Sequence, residues 1–423
     1  MMAQDAERFN EWWSTGKVRS ELALPFHRYA FSRVQESFGE RQILLATGLR
    51  RVGKTTLLYQ AIEKLLETQE PRSILYFSFE ESSVSPKEVL QYYEKAVLKK
   101  PLEEVGRCFV FFDEIQYVAN WPSVIKQFYD LYPQLKFFIS GSSSLLLSKD
   151  AIDKLAGRFF LLQLKPLGFL EFLGLKGIPL PDADFDSRRL EVYFQDYLRK
   201  SGFPEIVNLD NDVRLAEYIK NTVIDRVALR DIPLFFKTRD MTLMNNLLKL
   251  ILSRPGYILN TNSLAQTWGA SKITVSNYLR MLETSLLVRS LSNFKPSFMA
   301  SSRKLRKYYP ATPSLIFANS KESYESNMGA VLESYVVNAL DARFYFRERR
   351  KEIDVILKNK VVLPVEIKET VSRTDLTKFS KQLRLVNASR GIIVSSNQTM
   401  KIENIEVIPV YKIESFAEKN KFE

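Results

Sequence analysis

The sequence predicts an α/β protein that opens with a domain built on a parallel sheet, and three features carry this prediction. An apolar run at residues 43–46 leads into a glycine-rich loop, and residues 56–66 then carry apolar side chains at helical spacing. A second apolar run at residues 109–112 is typical of a strand that helices cover on both faces. The third feature is a pair of short runs, at residues 352–357 and 361–368, that predict strands of a separate C-terminal α/β domain.

The glycine-rich loop fits the pattern G-x-x-x-x-G-K-[ST] between a predicted strand and a predicted helix. Glycine lets the backbone curve until its N–H groups converge on phosphate oxygens, and the start of the helix adds a partial positive charge. Lys54 would then reach the β- and γ-phosphates, and the Thr55 hydroxyl would hold Mg²⁺. The sequence therefore predicts a nucleoside triphosphate site. Its predicted contacts are Gly48, Arg50, Arg51, Val52, Gly53, Lys54, Thr55 and Thr56.

Two carboxylates, Asp113 and Glu114, close the apolar run at residues 109–112. Ligands bind at the carboxyl ends of parallel strands, so we expect Asp113 to hold the water shell of Mg²⁺ and Glu114 to polarise the attacking water. The next predicted strand ends in serines, of which Ser140 and Ser142 are placed to sense the γ-phosphate. Serine after a strand is also ordinary turn chemistry, and that alternative stays open.

Composition limits the chemistry that the chain can perform. Cys108 is the only cysteine and His27 the only histidine, which excludes an internal disulfide, a zinc finger and most thiol or imidazole catalysis. No apolar run approaches the roughly eighteen residues of a membrane span, and the polar N-terminus does not resemble a secretory signal. A net charge of +12 favours nucleic acid over a membrane surface as the partner. Dispersed lysines can also simply keep a protein soluble, and that alternative stays open. We therefore expect a reduced, cytoplasmic protein, with nucleic acid as the favoured partner.

Four groups of residues together resemble a known family, the prokaryotic AAA-type ATPases of the DEIQ kind. These groups are Gly48–Thr55, Asp113-Glu114-Ile115-Gln116, Ser140–Ser143 and Gly157-Arg158. In that family the ATPase core precedes a C-terminal domain of unknown function. The resemblance implies ATP as the nucleotide and a ring-like homo-oligomer, with a hexamer as one form. It also implies that Arg158 acts as an arginine finger on the nucleotide of a neighbouring subunit.

Residues 171–240 are rich in helix formers and interrupted by glycine and proline, which predicts a helical lid behind the nucleotide site. Arg199 and Arg230 are both candidates to reach the phosphates from this lid, and the sequence does not decide between them.

Residues 241–300 predict a winged helix-turn-helix, because two helical patterns joined by a short glycine turn are followed by a strand. The alternative, a winged helix that packs only against protein, stays open. A basic segment at residues 303–307 lies just downstream and favours DNA contact. The residues expected to face outward toward DNA are Lys272, Thr274, Ser276, Asn277 and Arg280.

The last part of the chain contains carboxylates in a pattern that suggests metal chemistry. Glu333 falls on the apolar face of a predicted helix, Asp354 lies in one predicted strand, and Glu366 and Lys368 share a face of the next strand. Adjacent strands would bring Asp354, Glu366 and Lys368 to one point. Two carboxylates there can hold Mg²⁺, with Mn²⁺ as a substitute, and the bound metal would clamp a phosphodiester and activate water.

This arrangement is similar to the PD-(D/E)xK restriction-endonuclease-like superfamily. Asp354 matches the metal-binding aspartate of that superfamily, Glu366-Ile367-Lys368 its E-x-K motif, and Glu333 its helix carboxylate. Asp354 lacks the proline that directly precedes the aspartate in the superfamily pattern. The resemblance implies Glu333, Asp354 and Glu366 as metal ligands, and Asp354, Glu366 and Lys368 as catalytic residues.

The predicted organisation is a P-loop AAA-type ATPase core at residues 1–170, a helical lid at 171–240, a winged helix-turn-helix at 241–300 and a restriction-endonuclease-like domain at 301–423. This order predicts an ATPase coupled to DNA binding and metal-dependent DNA cleavage. The alternative is a non-cleaving, ATP-dependent switch in signalling or defence, in which the C-terminal domain is a binding module. An intact set of Asp354, Glu366 and Lys368 favours cleavage.

Overall fold

The computed structural model of the chain describes residues 2–142, 153–179, 187–236, 238, 240–295, 305–358 and 361–419. The chain divides into two compact units, Met1–Lys165 and Pro166–Glu423. The first unit contains the P-loop, and the second contains the whole predicted lid, residues 171–240, and all of the segments after it. Every helix within the described ranges falls short of the length and apolar character that a bilayer-crossing segment needs.

A parallel five-stranded sheet with the order β2-β3-β4-β1-β5 forms the centre of the first unit. Its strands are β1 (Ile43–Gly48), β2 (Ile74–Ser78), β3 (Cys108–Asp113), β4 (Leu135–Ser142) and β5 (Phe159–Leu164). The helices of this unit are α1 (Met2–Phe9), α2 (Trp12–Thr15), α3 (Phe31–Glu36), α4 (Lys54–Leu66), α5 (Pro86–Tyr92) and α6 (Trp121–Leu131). Because β4 lies between β1 and β3, the residues that end all three strands meet at one edge of the sheet.

The central strands form because their residues are apolar on both faces. Every residue of β1 and of β3 is buried, as expected for parallel strands with helices on both sides. Phe111 of β3 stacks on Phe138 of β4 with the ring centroids 4.6 Å apart. This sheet confirms the predicted α/β fold of the first unit, and α4 begins at Lys54 directly after the glycine-rich loop.

The N-terminal segment covers the open edge of the sheet at β2. The buried Asn10 side chain acts as a strand residue would: its Nδ2 donates to the Tyr76 carbonyl at 2.8 Å, and its Oδ1 accepts from the Tyr76 N–H at 2.6 Å. The indole N–H groups of Trp12 and Trp13 both donate to the Ile74 carbonyl, at 3.1 and 2.8 Å. Side chains thus satisfy the backbone groups that an edge strand leaves unpaired.

Replacing Asn10 by Ala is expected to destabilise the first unit by about 1–3 kcal/mol, because the buried N–H and C=O of Tyr76 lose their partners. Urea unfolding followed by tryptophan fluorescence measures this loss. The matched control is Ser14→Ala, which removes one exposed local hydrogen bond. A loss in Asn10→Ala no larger than that in the control would contradict the edge-covering role.

The second unit contains a nine-stranded mixed sheet with the order β13-β14-β12-β11-β10-β9-β7-β8-β6. Its strands are β6 (Tyr257–Leu259), β7 (Val288–Asn293), β8 (Arg306–Pro310), β9 (Phe344–Glu348), β10 (Lys351–Lys358), β11 (Val362–Ile367), β12 (Gly391–Ser395), β13 (Met400–Ile402) and β14 (Ile405–Pro409). The helices before β7 are α7 (Phe169–Leu175), α8 (Ser187–Lys200), α9 (Asp212–Ile219), α10 (Ile232–Phe235), α11 (Met241–Ser253), α12 (Thr261–Thr267) and α13 (Lys272–Thr284). The later helices are α14 (Ser314–Asn319), α15 (Lys321–Ser326), α16 (Met328–Ala339), α17 (Arg373–Leu383) and α18 (Ile413–Lys419).

One end of this sheet combines three short strands with two helices. β8 pairs antiparallel with both β6 and β7, and α12 and α13 lie between β6 and β7 in the sequence. A parallel pairing of β7 with β9 joins these strands to the C-terminal part of the sheet. The sheet is therefore continuous from β6 to β13, across the predicted boundary near residue 300.

A buried carboxylate ties distant helices of the second unit together. Glu414 accepts hydrogen bonds from the backbone N–H groups of Phe169 and Leu170 at 2.8 and 2.9 Å, and from the Tyr335 hydroxyl at 3.1 Å. Burial raises the pKa of the Glu414 carboxyl, and these three donors oppose the shift. Helices α7, α16 and α18 of the second unit are thus joined through the buried Glu414 carboxylate. The separation of lid, winged helix and C-terminal domain within this unit stays a prediction.

Candidate functional site

The glycine-rich loop after β1 has the curvature that the sequence predicts. Gly53 has φ = +96° and Arg51 has φ = +66°, so the chain turns sharply before α4 begins. A Cβ on Gly48 would lie 2.6 Å from the backbone carbonyl oxygen of Leu164, which explains glycine at the end of β1. The carbonyl of Val52 accepts a 2.8 Å hydrogen bond from Arg28, a buried side chain that also donates to the Lys165 carbonyl at 2.9 Å.

Lys54 lies at the base of this loop and is almost completely buried. Its Nζ donates to the backbone carbonyls of Gly48 at 3.4 Å and Leu49 at 3.3 Å. Its positive charge also lowers the pKa of the Glu114 carboxyl. The ammonium group is therefore fixed beside both the loop and the end of β3, where the sequence placed it.

Asp113 connects three strands and the loop helix through its two carboxylate oxygens. Oδ2 accepts from the Thr55 hydroxyl at 2.7 Å and from the Tyr76 hydroxyl at 3.0 Å, while Oδ1 accepts from the Ser140 hydroxyl. The predicted residues Thr55, Asp113 and Ser140 therefore meet, and Tyr76 joins them from β2. Thr55 and Asp113 offer the hard oxygen ligands that Mg²⁺ prefers, so the residues present fit this metal.

Glu114 follows Asp113 in a left-handed conformation with φ = +53°, which is uncommon for a residue other than glycine. Burial raises the pKa of its carboxyl, whereas Lys54 and the Gln116 side chain lower it. The Gln116 amide Nε2 donates to Glu114 Oε2, and Gln116 Oε1 accepts from the Ser142 backbone N–H at 3.2 Å. Gln116 thus links Glu114 to the end of β4, a role that the sequence did not indicate.

The remaining predicted loop contacts take different positions. Arg50 forms an ion pair with Glu80 at 2.7 Å, which directs it toward the end of β2. Val52 is buried, Arg51 is exposed, and Thr56 is half-buried in the first turn of α4.

Arg158 lies at the end of the sheet where β1 and β5 begin, whereas the glycine-rich loop follows the other end of β1. It directly precedes β5, and its carbonyl accepts from the backbone N–H of Ile43, the first residue of β1. Its guanidinium binds Asp130 at 2.8 and 3.0 Å. Action on the nucleotide of another subunit stays a prediction for this side chain.

The two lid arginines belong to the second unit. Arg199 forms ion pairs with Asp212 at 3.1 Å and Asp196 at 3.3 Å, and Arg230 is exposed. The choice between them stays open.

Helix α13 presents much of the predicted DNA-facing surface. Lys272, Asn277 and Arg280 are exposed, whereas Ser276 and Thr274 are half-buried. The Thr274 hydroxyl lies 2.9 Å from the hydroxyl of the N-capping Ser271 and serves the start of the helix.

The C-terminal carboxylates lie where β10, β11 and α16 meet. Asp354 Oδ2 accepts from the Ile367 N–H at 2.8 Å, and Glu366 binds the Lys368 ammonium at 3.0 Å. Burial raises the pKa of the Asp354 carboxyl far above its usual value, and the nearby charges of Glu333 and Glu366 add to the shift. Burial also raises the pKa of Glu366, against the opposing charge of Lys368. The pattern of strand and helix carboxylates therefore brings all four predicted residues into one electrostatic cluster.

Lys307 on β8 is the unexpected member of this cluster. Its ammonium binds Glu333 at 3.0 Å and Glu352 at 2.7 Å, and the side chain is only 5% exposed. Burial lowers its pKa, but the charges of Glu333, Asp354 and Glu352 outweigh burial and raise it. Lys307 belongs to the basic segment for which the sequence predicts DNA contact, but its ion pairs hold this one lysine inside the unit. Arg303 and Lys304 of that segment lie outside the described residues. DNA contact by the segment stays a prediction.

The predicted three-carboxylate metal site differs from the arrangement found. Across the described residues, no three side chains of the aspartate, glutamate, histidine or cysteine type are arranged to hold a metal ion. Glu333 instead accepts hydrogen bonds from Lys307 and from the Tyr309 hydroxyl at 2.6 Å. Glu366 retains one buried oxygen, Oε2, that has no hydrogen-bond partner in the described part of the chain.

Three family models match consecutive parts of the chain. Residues 40–173 match an AAA domain, residues 191–324 match domain of unknown function DUF8612, and residues 328–413 match domain of unknown function DUF4143. The chain carries a P-loop AAA-type ATPase domain in its first part. The two later matches assign no activity.

Relatives of similar length extend along most of the chain. The uncharacterized protein MJ1544 of Methanocaldococcus jannaschii is 26% identical over 405 residues, which covers 88% of each protein. An uncharacterized protein of Haemophilus influenzae is 25% identical over 386 residues, covering 87% of this chain and 93% of the relative. The structure of replication initiator DnaA bound to AMPPCP and single-stranded DNA is 12% identical, with a TM-score of 0.31 over 64% of this chain and 92% of that chain.

Proposed function

We propose that this protein is an ATP-hydrolysing AAA-type ATPase that binds DNA through its second unit and assembles into a homo-oligomeric ring. The observation that carries the ATPase part is the network around Asp113. It joins Thr55 of the P-loop helix and Ser140 of β4 to the strand that ends in Glu114. Residues from distant parts of the sequence thus converge at the edge of the sheet where nucleotides bind in such folds.

The residues of this site have separate roles in phosphoryl transfer. Lys54 and the backbone N–H groups of the loop neutralise phosphate charge, and Thr55 and Asp113 would hold Mg²⁺. When bound, this metal supplies charge stabilisation to the phosphate oxygens. Glu114 orients the attacking water and accepts its proton, and burial with a raised pKa suits a carboxyl that must accept a proton near neutral pH.

Three features support DNA as the partner. Lys272, Asn277 and Arg280 extend from the exposed side of α13, the second helix of a pair joined by a short turn. The order β6-β8-β7 beside these helices is the arrangement expected of a winged helix-turn-helix. A net charge of +12 adds sequence-independent attraction to phosphates.

ATP hydrolysis by the purified full chain, measured as phosphate release with Mg²⁺, tests the proposal. The assay is run without DNA, with single strands and with duplexes, and DNA binding is measured in parallel by fluorescence anisotropy. We expect Mg²⁺-dependent turnover and salt-sensitive DNA binding. Turnover without DNA binding would remove the DNA part of the proposal, and absence of turnover under every condition would remove the ATPase part.

Replacing Gln116 by Ala is expected to lower kcat roughly tenfold and to leave KM for ATP within about twofold, because the lost hydrogen bond to a charged group positions Glu114. The same bond lowers the pKa of Glu114, so its removal should shift the acid limb of the kcat profile to higher pH. Steady-state phosphate release between pH 5 and 9 measures both effects. The exposed Gln91→Ala serves as the control, and an unchanged profile in Gln116→Ala would contradict a positioning role.

Metal-dependent DNA cleavage by the C-terminal carboxylates is the second candidate activity. The buried Glu366 Oε2 without a partner favours it, because such an oxygen is costly unless a ligand satisfies it. Asp354 and Glu366 would hold the metal, and Lys368 would orient the water. Against it stands Lys307, which already neutralises Glu333.

Incubation with single- and double-stranded DNA in Mg²⁺ or Mn²⁺, with and without ATP, separates the two candidates. Cutting by the wild type but not by Glu366→Ala would establish the nuclease. The control variant is Glu406→Ala, which removes an exposed carboxylate from β14. Retention of DNA by an intact, non-cutting ATPase would make the C-terminal region a binding module and the protein an ATP-dependent switch.

A further inference from the structure

We propose that a groove beside α13 binds single-stranded nucleic acid by its phosphate backbone. This inference rests on the proposed DNA-binding function and specifies the form of nucleic acid. The groove lies between α13, the start of α12 and the β6–β8 pair, and we call it the basic groove. Its lining includes Asn260, Lys272, Ser276, Arg280, Arg306 and Tyr308.

The charge of the basic groove fits a polyanion. Lys272, Arg280 and Arg306 supply three cations, and Glu283 is the single carboxylate among the lining residues. Glu283 forms an ion pair with Arg306 at 3.3 Å, so its charge is partly neutralised within the wall. Ser276 adds a hydroxyl donor between the two cations of α13. Such a set of donors holds phosphate oxygens without requiring a particular base.

The shape of the basic groove favours a single strand over a duplex. Its volume is about 550 Å³, within the ~300–1,000 Å³ range of concave sites that enclose small ligands. Proteins read a duplex with a projecting element that enters its ~12 Å wide major groove. A concave basic site instead suits unstacked nucleotides whose backbone runs along it.

An aromatic ring at the edge of the sheet can stack on a base from such a strand. Tyr257 lies on the edge strand β6 directly opposite Tyr308 of β8, which lines the basic groove. The Tyr257 side chain is 47% exposed, and the guanidinium carbon of Arg254 lies 6.0 Å from the ring centroid. Exposed aromatic rings beside a cationic groove are the usual means of holding single strands without sequence preference.

The wall of the basic groove is held rigid from its other side. Successive residues of a strand point to opposite faces, so Arg306 and Tyr308 face the groove while Lys307 and Tyr309 face the carboxylate cluster. The contacts of Lys307 and Tyr309 with Glu333 fix β8 in register. The groove is therefore pre-formed, and little ordering is needed when a ligand binds.

The test uses the full chain and fluorescence anisotropy with a labelled twenty-nucleotide oligothymidine and a labelled duplex of the same length. We expect Lys272→Ala, Arg280→Ala and Tyr257→Ala each to weaken single-strand binding about tenfold. Tyr257→Phe should bind like the wild type, because it retains the ring. The two cation variants should also flatten the dependence of log Kd on log salt concentration by about 0.7 each. Circular dichroism and ATP turnover confirm that each variant is folded.

Lys249→Ala is the matched control, because Lys249 is exposed on α11 and does not line the basic groove. It should change the single-strand Kd less than about twofold. The basic groove is overturned if Lys272→Ala and Arg280→Ala bind the single strand as tightly as the wild type does. It is also overturned if the wild type binds the duplex in preference to the single strand. In both cases the DNA-binding function stands. Failure of the wild type to bind either DNA overturns both.

Discussion

Replacing Lys54 by Ala is expected to abolish ATP hydrolysis and to weaken ATP binding at least about 100-fold. The ammonium is held by the carbonyls of Gly48 and Leu49, at the start of α4, where the helix end also favours phosphate. Hydrogen bonds to charged groups contribute about 1.5–3 kcal/mol each, so the loss of two phosphate contacts accounts for this factor. Arg50 of the same loop is engaged by Glu80 at 2.7 Å.

Binding of a fluorescent ATP analogue and phosphate release measure the two effects separately. Lys64→Ala is the matched control, because it removes a lysine from the exposed side of the same helix, where Lys64 pairs with Glu67 at 2.6 Å. The control should retain affinity and turnover. Unchanged turnover in Lys54→Ala would falsify the assignment of the P-loop.

The parts of the nucleotide site that the sequence predicted are those that adjacent residues encode. The glycine-rich loop carries its own turn chemistry, and the apolar residues before Asp113 specify a buried strand whose end must lie at the edge of the sheet. The meeting of Thr55 with Asp113 then follows from the order of strands in parallel sheets. Local pattern and general topology are sufficient for this part.

The contacts that the sequence analysis missed depend on pairings between distant segments. Arg28 reaches the Val52 carbonyl, and Tyr76 reaches Asp113 because β2 pairs with β3. No local pattern distinguishes these two side chains from other arginines and tyrosines. Their roles arise only when the N-terminal segment and the edge strand are in place.

Lys307 differs from Arg28 and Tyr76, because the sequence contained a signal that indicates the direction of its side chain. The segment Arg306-Lys307-Tyr308-Tyr309 forms most of β8, and alternation along a strand directs Lys307 away from Arg306. Because of this alternation, the basic segment does not form a single surface. The sequence does not indicate the half-buried partners of Lys307, Glu333 and Glu352, because α16 and β10 approach β8 only through the tertiary fold.

Replacing Glu114 by Gln is expected to lower ATP turnover by about 10²–10⁴-fold while ATP binding is retained, because a general base contributes in this range and the substitution keeps the shape of the side chain. Gln can still accept from the Gln116 amide, so the link to Ser142 is preserved. The loss then isolates the proton-accepting role of the carboxylate. Glu81→Gln, an exposed position just after β2, is the matched control and should turn over ATP like the wild type.

The pH dependence of turnover gives this prediction a second, independent readout. Burial raises the pKa of the Glu114 carboxyl, with Lys54 opposing the shift, and the base acts only when it is deprotonated. Wild-type kcat should therefore rise with pH through a limb that lies above the ordinary range of a glutamate, and the residual kcat of Glu114→Gln should lack that limb. A limb of the same position and slope in the variant would assign the titration to another group. If Glu114→Gln retains ATP binding and its kcat does not depend on pH, the ionisation of Glu114 is the event that permits hydrolysis in the wild type.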